Sequence, residues 1–158
     1  MPHALDSLEA FYACALAIER EAAERYREFA EYFAARGEAM LAALCTMLAR
    51  MEGEHYSQLA RAAEGLALPS VDLAAYGAGA EPPSEGGGRE LFYRMQDPAQ
   101  LLEVALAGEI RAQRFFAWAA HTAEDEHVRV LAREMAGEED RHIRWVTQAL
   151  VMHRPIRA

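Results

Sequence analysis

Apolar residues recur at helical spacing in four segments of the chain. This spacing, together with the residues that flank each segment, predicts helices over about 6–36, 38–64, 98–120 and 124–153. Asp6 and Glu9 have the spacing of a capping box, and Gly37 is a suitable residue to end the first helix. Asp97 precedes Pro98, which is the usual order of an N-cap and the first residue of a helix.

The segment between the second and third helices, about 66–97, is rich in glycine and proline and predicts a linker. A loop of roughly 30 residues is unusual inside a single domain unless the topology requires it. Short turns make each helical pair antiparallel, so a long connection is needed if the third helix runs parallel to the second. Two antiparallel hairpins joined by one long crossover form the ferritin-like four-helix bundle. We therefore expect residues 1–158 to form one all-α domain of this type.

Composition agrees with an all-α fold and limits the function classes. Val, Ile and Thr together number 13, too few for a sizeable sheet. The net charge is −9, which argues against a nucleic-acid partner. Neither a membrane-spanning segment nor a signal peptide is evident, so a cytoplasmic protein without a membrane partner is expected. Two cysteines, Cys14 and Cys45, lie at different levels of the first hairpin, and no disulfide is expected between them.

Each apolar stripe is interrupted near its middle by one glutamate: Glu19, Glu52, Glu109 and Glu139. Two of these glutamates are followed three residues later by a histidine on the same helix face: His55 and His142. Counted from the predicted bends at Gly37 and near Glu124, all six side chains fall at one level of the bundle.

A buried carboxylate costs several kcal/mol unless it is paired or bound to a metal. One Glu from each of two helices, with Glu-x-x-His from each of the other two, is the ligand set of dinuclear carboxylate bundles. The spacing of Glu19 and Tyr26 recurs in Glu109 and Phe116, which indicates an internal repeat. A third Glu-x-x-His pair begins at Glu124, has no counterpart on another helix, and is expected at the surface.

These motifs make the chain resemble the rubrerythrin branch of the ferritin-like superfamily. The matching residues are Glu19 with Tyr26, Glu52-Gly53-Glu54-His55, Glu109 with Phe116, and Glu138-Glu139-Asp140-Arg141-His142. The resemblance implies two iron ions, with Mn or Zn as other metals that these ligands accept. It also implies that Glu52 and Glu139 bridge the two ions, that Glu19 and Glu109 are terminal ligands, and that each histidine binds one ion.

Three departures from the family pattern refine this expectation. Two cysteines cannot form a rubredoxin-type centre, so the electron donor would be a separate protein. Ala112 replaces an additional glutamate of rubrerythrins, which leaves the six-ligand set of bacterioferritins. Bacterioferritins bind haem through a Met at the position of Gly53, so haem is not expected here.

The resemblance implies an oxidoreductase that reacts ferrous iron with O2 or peroxide, in a homodimer. Tyr26 is then either a catalytic, redox-active residue or a buried aromatic residue hydrogen-bonded to a ligand. Iron storage, a di-iron hydroxylase and a purely structural metal site are the alternatives. Three glycines near the ligands indicate either close approach around the metals or tight helix packing: Gly53, Gly108 and Gly137.

Overall fold

The computed structural model describes residues 7–76, 78 and 97–153. These residues contain four long helices: α1 (Leu8–Ala35), α2 (Ala39–Ala62), α3 (Pro98–Thr122) and α4 (Glu126–His153). A short 3-10 helix, Leu73–Tyr76, follows α2. The described residues contain no strand, so the predicted all-α fold is confirmed.

Local capping explains where these helices begin and end. The prediction that Asp6 caps the first helix is wrong, because the side chain of Ser7 accepts the backbone N–H of Ala10 at 3.0 Å and takes this role. Asp6 itself lies outside the described residues. At α3, Asp97 is the N-cap, as predicted, and it also forms a reciprocal capping box with Gln100. Gly37 has a φ of +74°, a left-handed conformation that glycine adopts without strain.

The helices pack as two hairpins, α1 with α2 and α3 with α4. One core cluster joins the start of α1 to the ends of α2 and α3, through Phe11, Leu59 and Phe116. The other joins the end of α1 to the starts of α2 and α3, through Phe33, Leu41 and others. The helices α2 and α3 are therefore parallel, and the chain between them must return along the bundle. Residues 77 and 79–96 of this predicted crossover lie outside the described residues.

Two further observations concern the cysteines and the apolar character of the helices. Cys14 and Cys45 are both buried and not bonded to each other, as expected. None of the helices in the described ranges combines the length and apolar character that crossing a membrane requires.

Candidate metal centre

The six predicted ligands meet between the two core clusters. Five of them are almost completely buried, with at most 2% of their surface exposed: Glu19, Glu52, Glu109, Glu139 and His142. His55 differs from the others, because 18% of its side chain is exposed. The sequence therefore identified side chains that the fold brings into one layer.

The ligand atoms form two groups, and within each group they all lie within 4.8 Å of one another. One group contains Glu52, Glu109, Glu139 and His142, and the other contains Glu19, Glu52 and His55. Glu52 belongs to both groups, as expected of a carboxylate that bridges two ions. Glu139, for which the resemblance implies the same role, belongs only to the group of His142.

The histidines face the carboxylates at short range. In His142, Nδ1 lies 2.9 Å from Oε1 of Glu52 and 3.6 Å from Oε2 of both Glu109 and Glu139. In His55, Nδ1 lies 3.7 Å from Oε2 of Glu19 and 3.8 Å from Oε2 of Glu52. The two imidazole rings are nearly parallel, at an angle of 14° and a centroid distance of 6.1 Å.

Most of these polar atoms are buried without a hydrogen-bond partner. This holds for both carboxylate oxygens of Glu19 and of Glu52, for both ring nitrogens of His142, and for Nδ1 of His55. Although His142 and Glu52 are close, their orientation is not that of a hydrogen bond. Buried polar groups are nearly always satisfied in proteins, so a cluster of orphaned oxygen and nitrogen donors fits a metal site.

Burial and mutual repulsion perturb the acidity of this cluster. Burial raises the pKa of Glu19 well above its ordinary value, and the charge of Glu52 adds to the shift. Burial and the charges of Glu52 and Glu109 raise the pKa of Glu139 in the same way. For Glu52, burial also tends to raise the pKa, but interactions with Glu19 and the two histidines outweigh burial, so the pKa is lowered. Their surroundings therefore favour the neutral form of the Glu19 and Glu139 carboxyl groups, whereas those of Glu52 favour its charged form.

Tyr26 contacts the cluster directly. Its ring is fully buried, and its hydroxyl donates a hydrogen bond to Oε1 of Glu109. Burial raises the pKa of Tyr26 well above its ordinary value, and the charge of Glu109 adds to this shift while that of Arg25 opposes it. The hydrogen bond to a predicted ligand is thus present, whereas the catalytic role of Tyr26 stays a prediction.

Sequence reasoning missed Arg25, which is 6% exposed and lies against Gly108. A Cβ at Gly108 would clash with the guanidinium of Arg25. The glycine therefore allows the Arg25 side chain of α1 to pack closely against α3. Gly53 and Gly137 have nothing within 4 Å of an added Cβ, so tight helix packing does not explain these two glycines, and a close approach around the metals stays a prediction for them. The only sequence signal for Arg25 was the unexplained glycine in α3.

The second hairpin is similar to a known protein family. The rubrerythrin family model matches residues 100–155. The chain resembles rubrerythrins, as predicted. This rubrerythrin-like segment contains Glu109, Glu139 and His142, three of the six clustered side chains. The third Glu-x-x-His pair, Glu124 and His127, lies within the same segment but is exposed, as expected.

A solved structure extends the similarity beyond this rubrerythrin-like segment. It is an uncharacterized conserved protein from Magnetospirillum magnetotacticum MS-1, with 28% sequence identity and a TM-score of 0.81. The match covers 96% of this chain and 99% of the other. It includes both hairpins and supports the four-helix bundle as the fold of the whole chain. No curated protein matches the chain.

Proposed function

We propose that this protein binds two iron ions and is a rubrerythrin-like oxidoreductase that reacts ferrous iron with O2 or peroxide. The observation that supports it best is the pair of ligand groups that share Glu52. One shared carboxylate between two sets of oxygen and imidazole donors is the arrangement expected for two neighbouring ions. The rubrerythrin match over the second hairpin supports the same proposal.

Charge and ligand type agree with two divalent ions. Four carboxylates balance the charge of two such ions, and neutral imidazoles complete the donor set without adding charge. The ions would be held by Glu19, Glu52, His55, Glu109, Glu139 and His142. Mn and Zn accept the same donors, so the choice of iron rests on the resemblance to rubrerythrins.

When bound, two ferrous ions held by these residues would supply the two electrons that the reduction of O2 or peroxide requires. The protein side chains orient this site and exclude water from it. Tyr26 holds one oxygen of Glu109 through its hydroxyl, which fixes that carboxylate and keeps a proton next to the site. The burial of Glu52 and His142 keeps bulk water away from the shared side of the cluster.

Metal content and O2 uptake test the proposal together. We expect purified protein to hold about two equivalents of iron per chain, and Glu52→Gln to lose both metal and O2 uptake. Glu54→Gln is the matched control, because Glu54 is 64% exposed and lies 4.0 Å from Arg50 instead of facing the cluster. Circular dichroism shows whether each variant is folded. Full metal content and O2 uptake in folded Glu52→Gln would refute the proposal.

Partners are part of the same proposal. We expect a homodimer by light scattering, whereas a large closed shell would favour iron storage. We also expect O2 uptake to stop after one turnover unless an electron-donor protein or a chemical reductant is added. A metal-loaded protein that neither takes up O2 or peroxide nor changes its absorbance on exposure to air would instead favour a structural metal.

A further inference from the structure

A cavity of about 190 Å³ opens beside His55, between the second half of α2 and the first half of α4. In the part of the chain that the structure describes, four apolar side chains line it, two from each helix: Leu59, Ala62, Leu131 and Met135. Leu59 and Met135 are buried and form its inner part, whereas Ala62 is exposed and lies near the opening. The cavity therefore has an apolar interior that reaches from the surface toward the cluster.

Among the described residues, the polar side chains that line the cavity are acidic or neutral. Gln58, Glu134 and Glu138 line it together with His55. Glu138 forms an ion pair with Arg141 on the same helix, so Glu134 contributes the negative charge that faces an entering molecule. This charge disfavours an anionic ligand, and the apolar wall disfavours a hydrated metal ion.

His55 connects the cavity to the candidate metal centre. It lines the cavity and also lies in one ligand group with Glu19 and Glu52. It is also the one member of the six that is appreciably exposed, at 18% of its side chain. A molecule in the cavity would therefore lie beside the less buried of the two ligand groups.

The volume of the cavity suggests the size of its ligand. An apolar cavity of about 150 Å³ in another protein binds benzene, and O2 requires far less space. We propose that this cavity binds a small uncharged, mainly apolar organic molecule of about benzene size, and presents it to the metal centre at His55. Its position next to the metals rests on the proposed function, whereas binding in the cavity does not.

Fluorobenzene titrated into metal-free protein and followed by fluorine NMR tests the binding site. We expect saturable binding that is lost in Ala62→Trp and in Leu131→Trp, because either indole fills the cavity. Ala149→Trp is the matched control, since Ala149 lines another cavity at the opposite end of the bundle. We also expect 4-fluorobenzoate to bind more weakly than fluorobenzene, because its carboxylate meets Glu134.

The outcomes separate this proposal from the proposed function. No saturable binding of fluorobenzene, or binding lost in Ala149→Trp and kept in both cavity-filling variants, would overturn the proposal. In protein loaded with Mn²⁺ we expect faster fluorine relaxation of the bound probe than in protein loaded with Zn²⁺. Equal relaxation in the two loaded proteins would overturn the placement beside His55. Failure of the cluster to bind any metal would refute the proposed function, and the metal-free titration would still decide the cavity.

Discussion

Replacing Gly108 by alanine tests the close contact between α1 and α3. The added Cβ would lie 2.2 Å from Nη2 of Arg25, 2.7 Å from Cζ and 3.0 Å from Nη1. Nonbonded heavy atoms pack comfortably at about 3.5 Å, so the guanidinium would have to move by more than about 1 Å. Arg25 is 6% exposed and shares a small space with Glu21 and Arg111, which leaves it little room to move.

Two opposing effects determine how much Gly108→Ala changes the free energy of unfolding. Alanine in place of glycine within a helix stabilises by about 1 kcal/mol. Overpacking a buried position costs about 1–3 kcal/mol. We therefore expect Gly108→Ala to lower the free energy of unfolding by about 1 kcal/mol, whereas Gly53→Ala and Gly137→Ala should raise it by up to about 1 kcal/mol because nothing lies within 4 Å of their added Cβ.

Urea unfolding followed by circular dichroism, with a chelator present so that metal occupancy is equal, measures these changes. In thermal unfolding, a difference of about 1 kcal/mol in the free energy of unfolding corresponds to a shift of about 2–4 °C in Tm for a chain of this size. Combining Gly108→Ala with Arg25→Ala should remove most of the cost, because the clashing group is gone. Two results would show that the contact with Arg25 does not explain the glycine at position 108. One is that Gly108→Ala stabilises the protein as much as Gly137→Ala, and the other is that its cost persists in the Arg25→Ala background.

Two further substitutions have effects that follow from single contacts, and the burial of the two cysteines predicts their reactivity. Tyr26→Phe should lower the free energy of unfolding by about 1–2 kcal/mol, since Glu109 loses its donor, and an unchanged urea midpoint would contradict this. Asp97→Ala should lower the free energy of unfolding by about 1 kcal/mol in the same assay, because α3 loses its N-cap. An unchanged urea midpoint would show that this cap does not stabilise the fold. Burial raises the pKa of Cys14 to about 11 and that of Cys45 to about 12. A thiol reagent at pH 8 should therefore find about one thiolate in a thousand or fewer and react slowly until urea is added. Rapid labelling of the native protein would argue against this burial. The raised pKa values also mean that the free energy of unfolding falls as the pH rises above about 9, because the thiols of the unfolded chain ionise first.

The fold could be predicted because its signals are local. Helical periodicity and the Asp97-Pro98 cap placed α3 within two residues of its observed bounds. The parallel arrangement of α2 and α3 followed from the length of the linker, and the two core clusters agree with it. The 3-10 helix at Leu73–Tyr76 could not be predicted, because four residues carry no periodic pattern and this turn packs against a core that only the tertiary fold creates.

The predicted cluster was accessible from sequence for a different reason. Its six members occupy matching levels on four helices, so bundle geometry alone brings them together. The surroundings were less accessible, because Arg25 reaches Gly108 across two helices that are distant in sequence. A hydrogen bond from Tyr26 to a ligand was one of the two sequence interpretations, but that its partner is Glu109 follows only from the packing of α1 on α3. Such contacts depend on the side-chain directions at the α1–α3 interface, which spacing along one helix does not specify.

The structure also shows that the internal repeat does not produce two equivalent halves. Tyr26 and Phe116 occupy equivalent positions in the repeat, but only Tyr26 has a hydroxyl, and it binds Glu109 of the other hairpin. His142 is fully buried, whereas His55 borders a cavity that opens to the surface. Two metal ions held by these groups would therefore differ in their surroundings. The ion near His142 would have a closed environment fixed by protein side chains, and the ion near His55 would be the one that an entering reactant meets first.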